Sequence, residues 1–142
     1  MRSLWEVWMD IGVEKLENHE GVTVKVLLDS GAMGLFANKK FVEKHRFKLE
    51  KLERPIRVPN IDGMDNKGKR ITYEIECNVF FKEHKERTRM EVCDLWRMDV
   101  ILGMLWLAAY NPEINWEMGE VKMTRCLPFY RRKVEIKERR RG

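Results

Sequence analysis

Metal-ligand spacing is missing from this sequence. Its three cysteines (Cys77, Cys93, Cys126) and three histidines (His19, His45, His84) stand apart, with no C-x₂-C or H-x₃-H pair among them. That argues against a zinc site, and no metal or other cofactor is expected. Cys77 and Cys93 fall in strand-like runs and read as reduced packing residues. A Gly-rich phosphate loop is also absent, which removes the usual cradle for nucleotide chemistry. No run approaches the roughly 18 apolar residues of a membrane helix, and the N-terminus has no signal-peptide pattern. The expectation is an intracellular chain without membrane contact.

Charge of one sign is scarce until the end. Of 28 basic and 23 acidic residues, seven basic ones lie from Arg131 onward, against Glu135 and Glu138. The body keeps 21 of each and is neutral, so the tail holds the whole net charge of +5. Such a tail could neutralise phosphates. A solvated terminus is the favoured reading, and a nucleic-acid contact is disfavoured.

What is present suits one globular domain. The chain has 142 residues, 44% of them apolar, enough for a single core but not for two. Residues 1–10 read as an apolar N-terminal extension, 11–126 as the domain, and 127–142 as the basic tail. Period-2 alternation predicts strands over Ile11–Leu16, Val22–Leu28, Ile71–Phe81 and Thr88–Leu95, with a further strand around Ile56–Val58. Asn38 is placed to cap a short helix reaching His45, after a loop. Met104–Tyr110 reads as a second helix, stopped by Asn111-Pro112. Ile114–Trp116 and Val121–Met123 form a last hairpin. Strands predominate.

One stretch asks for a chemical explanation. Val24-Lys25-Val26-Leu27-Leu28 runs straight into Asp29-Ser30-Gly31-Ala32. An apolar strand ending in a carboxylate is costly unless the charge is partnered or solvated. Ser30 adds a short donor, and Gly31 lets the backbone turn and approach closely. An ordinary turn would have the same composition, so the motif needs company. It has some: Asn60-Ile61-Asp62-Gly63-Met64 opens a turn-rich segment before the longest strand. Val100-Ile101-Leu102-Gly103 is a second apolar run ending in glycine.

Together these elements resemble the retropepsin-like aspartic proteases, above all the protease domains of gypsy-type LTR retrotransposon polyproteins. Asp29-Ser30-Gly31-Ala32 matches the catalytic motif, and Asn60–Gly63 with Asn66 and Gly68 is similar to the flap. Val100–Met104, Trp106-Leu107 and Asn111–Trp116 match the C-terminal signature. Leu105 stands where that signature usually has proline. The resemblance implies a mainly β fold, a closed β-barrel of the acid-protease half type, with one or two short helices and one lobe per chain. It also implies an endopeptidase in which Asp29, Ser30 and Gly31 are catalytic. Ala32, Asn60, Ile61, Asp62, Gly63 and Met64 would bind substrate.

No second Asp-Ser/Thr-Gly exists in the chain. The resemblance therefore implies a homodimer with one Asp29 per copy, acting on an extended polypeptide in the cytoplasm or a retroelement particle. The alternative is a catalytically silent or co-opted copy, serving as a dimerisation or interaction module.

Overall fold

Alternating burial builds the first hairpin. In β1 (Val7–Lys15) the side chains of Val7, Met9, Ile11 and Val13 point inward. In β2 (Gly21–Leu28) Val24, Val26 and Leu28 do the same, as a period of two requires when one face meets a core. The two pair antiparallel from Val7↔Leu28 to Glu14↔Gly21. The structure is a computed structural model describing residues 7–58, 69–95 and 97–124. The basic tail, Cys126, Leu4, Trp5 and the segment Asn60–Gly68 lie outside the described residues.

The other elements are β3 (Leu35–Asn38), α1 (Lys39–Lys44), β4 (Glu50–Arg57), β5 (Arg70–Phe81), β6 (His84–Cys93), β7 (Val100–Leu102), α2 (Met104–Tyr110), β8 (Glu113–Asn115) and β9 (Glu120–Lys122). The main sheet runs β1-β2-β7-β3-β6-β5-β4, and pairing of β1 with β5 closes it into a six-stranded barrel. Closure uses the far end of β1, from Gly12↔Phe80 to Lys15↔Cys77. β4 extends the sheet beyond the barrel along β5, while β8 and β9 form a separate two-stranded ribbon. The architecture is mainly β with two short helices, as the sequence implied.

The interior has two parts. The larger fills the barrel and includes Val26, Leu28, Ile75, Val79, Met90, Leu102 and Trp106. The smaller lies on the opposite side of β3 and β7, where Ala32, Phe36, Ile71, Leu95 and Ile101 meet. Leu28, Ile101 and Leu102 are all core residues. Burial on both faces of β7 explains why its sequence is continuously apolar and not alternating.

Four strand boundaries differ from the sequence reading. β1 begins at Val7, not Ile11, so residues 7–10 belong to the barrel and not to an N-terminal extension. β3 occupies what reads as loop. Four residues are too few for periodicity to show, and the strand exists because β6 and β7 bond it on either side. β4 is exposed along most of its length: its charged residues hide a strand held by pairing with β5, with a register shift between Lys51 and Ile56. β6 starts at His84, because antiparallel pairing with β5 continues to Phe81↔His84. Tyr73, grouped by alternation with buried neighbours, is exposed.

The helix ends follow their sequence signals. Asn38 caps α1, its Oδ1 accepting from the Lys40 N–H at 3.2 Å, while its Nδ2 donates to Met98 O at 2.8 Å. Asn111 ends α2 in the left-handed region at φ 42°, its N–H returning to Leu107 O at 2.8 Å, a conformation asparagine tolerates better than most residues.

Cys77 and Cys93 are buried free thiols. Burial, then the nearby Glu86 and Glu76, push the Cys77 thiol up from 9.0 to about 12. Below pH 9 the thiol is protonated in both folded and unfolded chains. Above it, the unfolded chain releases a proton that the folded chain retains, so stability falls as pH climbs from about 9 toward 12. Cys77→Val removes this dependence. Urea unfolding at pH 8 and about pH 10.5 is expected to cost the wild type about 2 kcal/mol more than the variant. Parallel losses would show that the thiol titrates alike in the folded and unfolded chains.

Candidate active site

β2 does not stop cleanly at Leu28. Its parallel pairing with β7, from Val26↔Val100 to Leu28↔Leu102, carries on as the Asp29 N–H donates to Leu102 O at 3.0 Å. Asp29 is thus the last residue held by the barrel, and its side chain emerges half-buried at the rim. The chain then turns at once: Ala32 N–H donates back to Asp29 O at 3.2 Å. Inside that turn the Gly31 N–H donates to Asp29 Oδ1 at 2.8 Å. A charge-assisted bond of this kind holds a carboxylate in one orientation. Ser30 and Gly31 are exposed, and Ala32 is buried in the smaller core. A Cβ on Gly31 would meet Asp29 Oδ1 at 3.1 Å, so glycine keeps the amide close to the carboxylate.

The second apolar-glycine element lies directly against this turn. Gly103, Met104 and Leu105 donate their N–H groups to Gly34 O (2.9 Å), Ala32 O (2.7 Å) and Met33 O (2.8 Å). The first turn of α2 thereby clamps the whole Ala32–Gly34 backbone. A Cβ at Gly103 would sit 2.4 Å from Gly34 O and 2.5 Å from Ala32 O. Only a residue without a side chain lets the two segments touch.

The structure therefore brings Asp29, Ser30, Gly31 and Ala32 together on one rigid loop braced by Gly103. Asn60, Ile61, Asp62, Gly63 and Met64 lie outside the described residues. The strands that flank them are paired to the end, with Arg57 opposite Arg70 and Val58 N–H donating to Lys69 O at 3.3 Å.

Sequence reasoning missed the apolar rim. Met33 is 60% exposed, Leu105 42% and Met104 38%, all three on the segments that form the clamp. A usable signal existed: the four-residue spacing of Trp106 and Tyr110, both buried, turns Met104 and Leu105 outward on α2. Leu105 also departs from the expected proline for a visible reason. Its N–H donates to Met33 O, and proline has no N–H to give.

Chemically, one oriented carboxylate can accept a proton or donate one. It cannot do both in the same step, and among the described residues the loop offers no second acid.

Comparison with known proteins follows this geometry. The family model of the PEG10/RTL1 protease domain matches residues 25–127. The chain belongs to that family. It is a gypsy-derived, retropepsin-like family of aspartic protease domains, and the match spans the Asp29 loop, the β4–β5 hairpin and the Gly103 element. Solved structures give the same fold. The retroviral protease-like domain of Ddi1 from Leishmania major is 18% identical, with a TM-score of 0.53 over 83% of this chain and 89% of that one. EIAV protease, solved with the inhibitor HBY-793, is 19% identical, with a TM-score of 0.50 over 76% of this chain and 90% of that one. Among the described residues, no helix is long and apolar enough to cross a membrane.

Proposed function

We propose that this PEG10/RTL1-family domain is an aspartic endopeptidase built from two copies of the chain, each contributing Asp29. The observation that carries the reading is the Asp29 carboxylate itself. It is gripped by the Gly31 N–H, fixed at the end of a buried strand, and left beside an apolar rim with no second acid on its own loop. A two-fold axis through this face would bring the second carboxylate. Met33, Met104 and Leu105 would then be covered by the partner copy, which accounts for their exposure in one chain alone.

Two carboxylates about 3 Å apart cannot both ionise easily, so the pair shares one proton. The ionised member takes a proton from water as the oxygen attacks the scissile carbonyl carbon. The protonated member donates to the carbonyl oxygen, and the roles reverse as the leaving nitrogen is protonated. The Gly31 N–H would hold the carboxylate in the orientation its mate needs. Ser30 would bond across the floor of the pair. Ala32 and Asn60–Met64 would line an extended peptide, with the segment between β4 and β5 closing over it. The natural substrate under this reading is a retroelement polyprotein, met in the cytoplasm or in a particle.

A half-site in each chain makes activity depend on concentration. Specific activity on an unfolded peptide library is expected to rise with protein concentration and to plateau where sedimentation shows dimer. Activity proportional to protein throughout the monomer range would overturn the two-copy site. A silent, co-opted module would instead dimerise without cleaving. Its main support in sequence is the proline-to-leucine change, yet Leu105 adds a bond to the Asp29 loop, which favours a maintained site.

A further inference from the structure

Glu86 is the one carboxylate among the described residues that is buried outright, at 2% exposure. It sits in β6, inside the barrel, remote in sequence from the Asp29 loop and absent from the chemistry above. A buried carboxylate is kept only where partners offset its lost hydration. Here the Trp106 indole Nε1–H donates to Glu86 Oε1 at 2.5 Å, and His84 Nε2 lies 3.7 Å from the same oxygen. The imidazole of His84 packs edge-on against Tyr110, with ring centroids 4.4 Å apart, and against Trp106 at 6.0 Å. Trp106 and Tyr110 are the two buried side chains of α2. Both inward side chains of this helix thus meet the start of β6.

The outward side of the same helical turn is the clamp. Gly103, Met104 and Leu105 give their N–H groups to the Ala32–Gly34 carbonyls, and Trp106 follows immediately. The helix is only seven residues long, too short to hold its own orientation in water. Trp106, bonded through its indole to Glu86, is where this short helix enters the barrel interior.

We infer that Glu86 is a positioning residue for the active-site loop. It acts through Trp106, whose tether fixes the rotation of α2 and hence the three N–H groups that hold Ala32, Met33 and Gly34 behind Asp29. The consequence for catalysis rests on the protease reading above; the consequence for loop geometry does not.

The test compares Trp106→Phe, which deletes the N–H and keeps a ring, with Glu86→Leu and with Glu86→Gln, which keeps an oxygen acceptor. Val13→Ala serves as the control, since Val13 is a fully buried core residue on β1 far along the chain from the clamp. Amide nitrogen–proton correlation spectra are read at Gly31, Ala32, Gly34 and Gly103, alongside kcat and KM for peptide cleavage and the thermal midpoint. Trp106→Phe and Glu86→Leu are expected to shift these amides and lower kcat about tenfold or more, with KM changed less than threefold. Glu86→Gln should keep wild-type amides and kcat. Val13→Ala should lower the midpoint without moving the amides.

Unmoved amides in Trp106→Phe overturn the inference, as do equal shifts in Val13→Ala. So does failure of Glu86→Gln to restore the loop, because charge balance and not the tether would then be in control. If Glu86→Leu does not fold, Trp106→Phe against Glu86→Gln carries the test. If no variant nor wild type cleaves any peptide, the protease reading fails while the amide shifts still decide this one.

Discussion

Asp29→Asn is expected to abolish peptide cleavage at mildly acidic pH, with residual activity about a thousandth of wild type or less. The fold should barely notice. Asparagine has nearly the shape of aspartate, and its side-chain oxygen can still accept from the Gly31 N–H, the side-chain bond Asp29 makes among the described residues. What is lost is the ability to take a proton from water, which an amide cannot do. The thermal midpoint is therefore expected within about 2 °C of wild type, so activity and stability separate cleanly. Mixing adds a sharper form of the experiment. If each site needs two intact carboxylates, refolding wild type with an equal amount of Asp29→Asn leaves only statistical wild-type pairs, about a quarter of the activity. Half the activity would mean that single chains work alone. Wild-type cleavage by the variant would remove Asp29 from the chemistry altogether.

The same loop shows what a sequence can and cannot display. Asp29-Ser30-Gly31 was legible because a carboxylate ending an apolar run violates the ordinary economy of burial. Gly103 was legible as a glycine closing a second apolar run, Asn38 as a helix cap and Asn111-Pro112 as a helix stop. β3 was not legible, since its four residues gain their strand character from β6 and β7 and not from their own alternation. β4 was half-hidden because an exposed strand carries charges that look like loop. Glu86 was invisible for a different reason. It sits among the charged residues between the strands expected over Ile71–Phe81 and Thr88–Leu95, and only the long-range approach of Trp106 reveals that it is buried. Local pattern reports local forces, and both the apolar rim and the Glu86 tether depend on contacts between distant segments.

Gly103→Ala tests the most demanding of those contacts. The added methyl would lie 2.4 Å from Gly34 O, 2.5 Å from Ala32 O and 2.9 Å from Ala32 C. All three are backbone atoms, so no side-chain rotation relieves the overlap; either the Asp29 loop or the start of α2 must move. Movement of about 1 Å would break the three bonds that Gly103, Met104 and Leu105 make to Gly34, Ala32 and Met33. Overpacking plus those bonds sums to about 3–5 kcal/mol, or a drop of roughly 10–17 °C in the thermal midpoint for a domain of this size. Gly12→Ala supplies the contrast. Its methyl would meet Phe80 Cβ at 3.5 Å, ordinary contact on a strand, and relief of backbone entropy should leave it neutral or slightly stabilised. The two variants make the same chemical change, so a difference between them measures the crossing at Gly103 and nothing else. Equal midpoints would mean that the loop and helix yield without cost, and the rigidity assigned to the Asp29 loop would have to come from elsewhere. Any Gly103→Ala protein that does fold should also have lost cleavage, because the strain falls on the carbonyls directly behind the carboxylate.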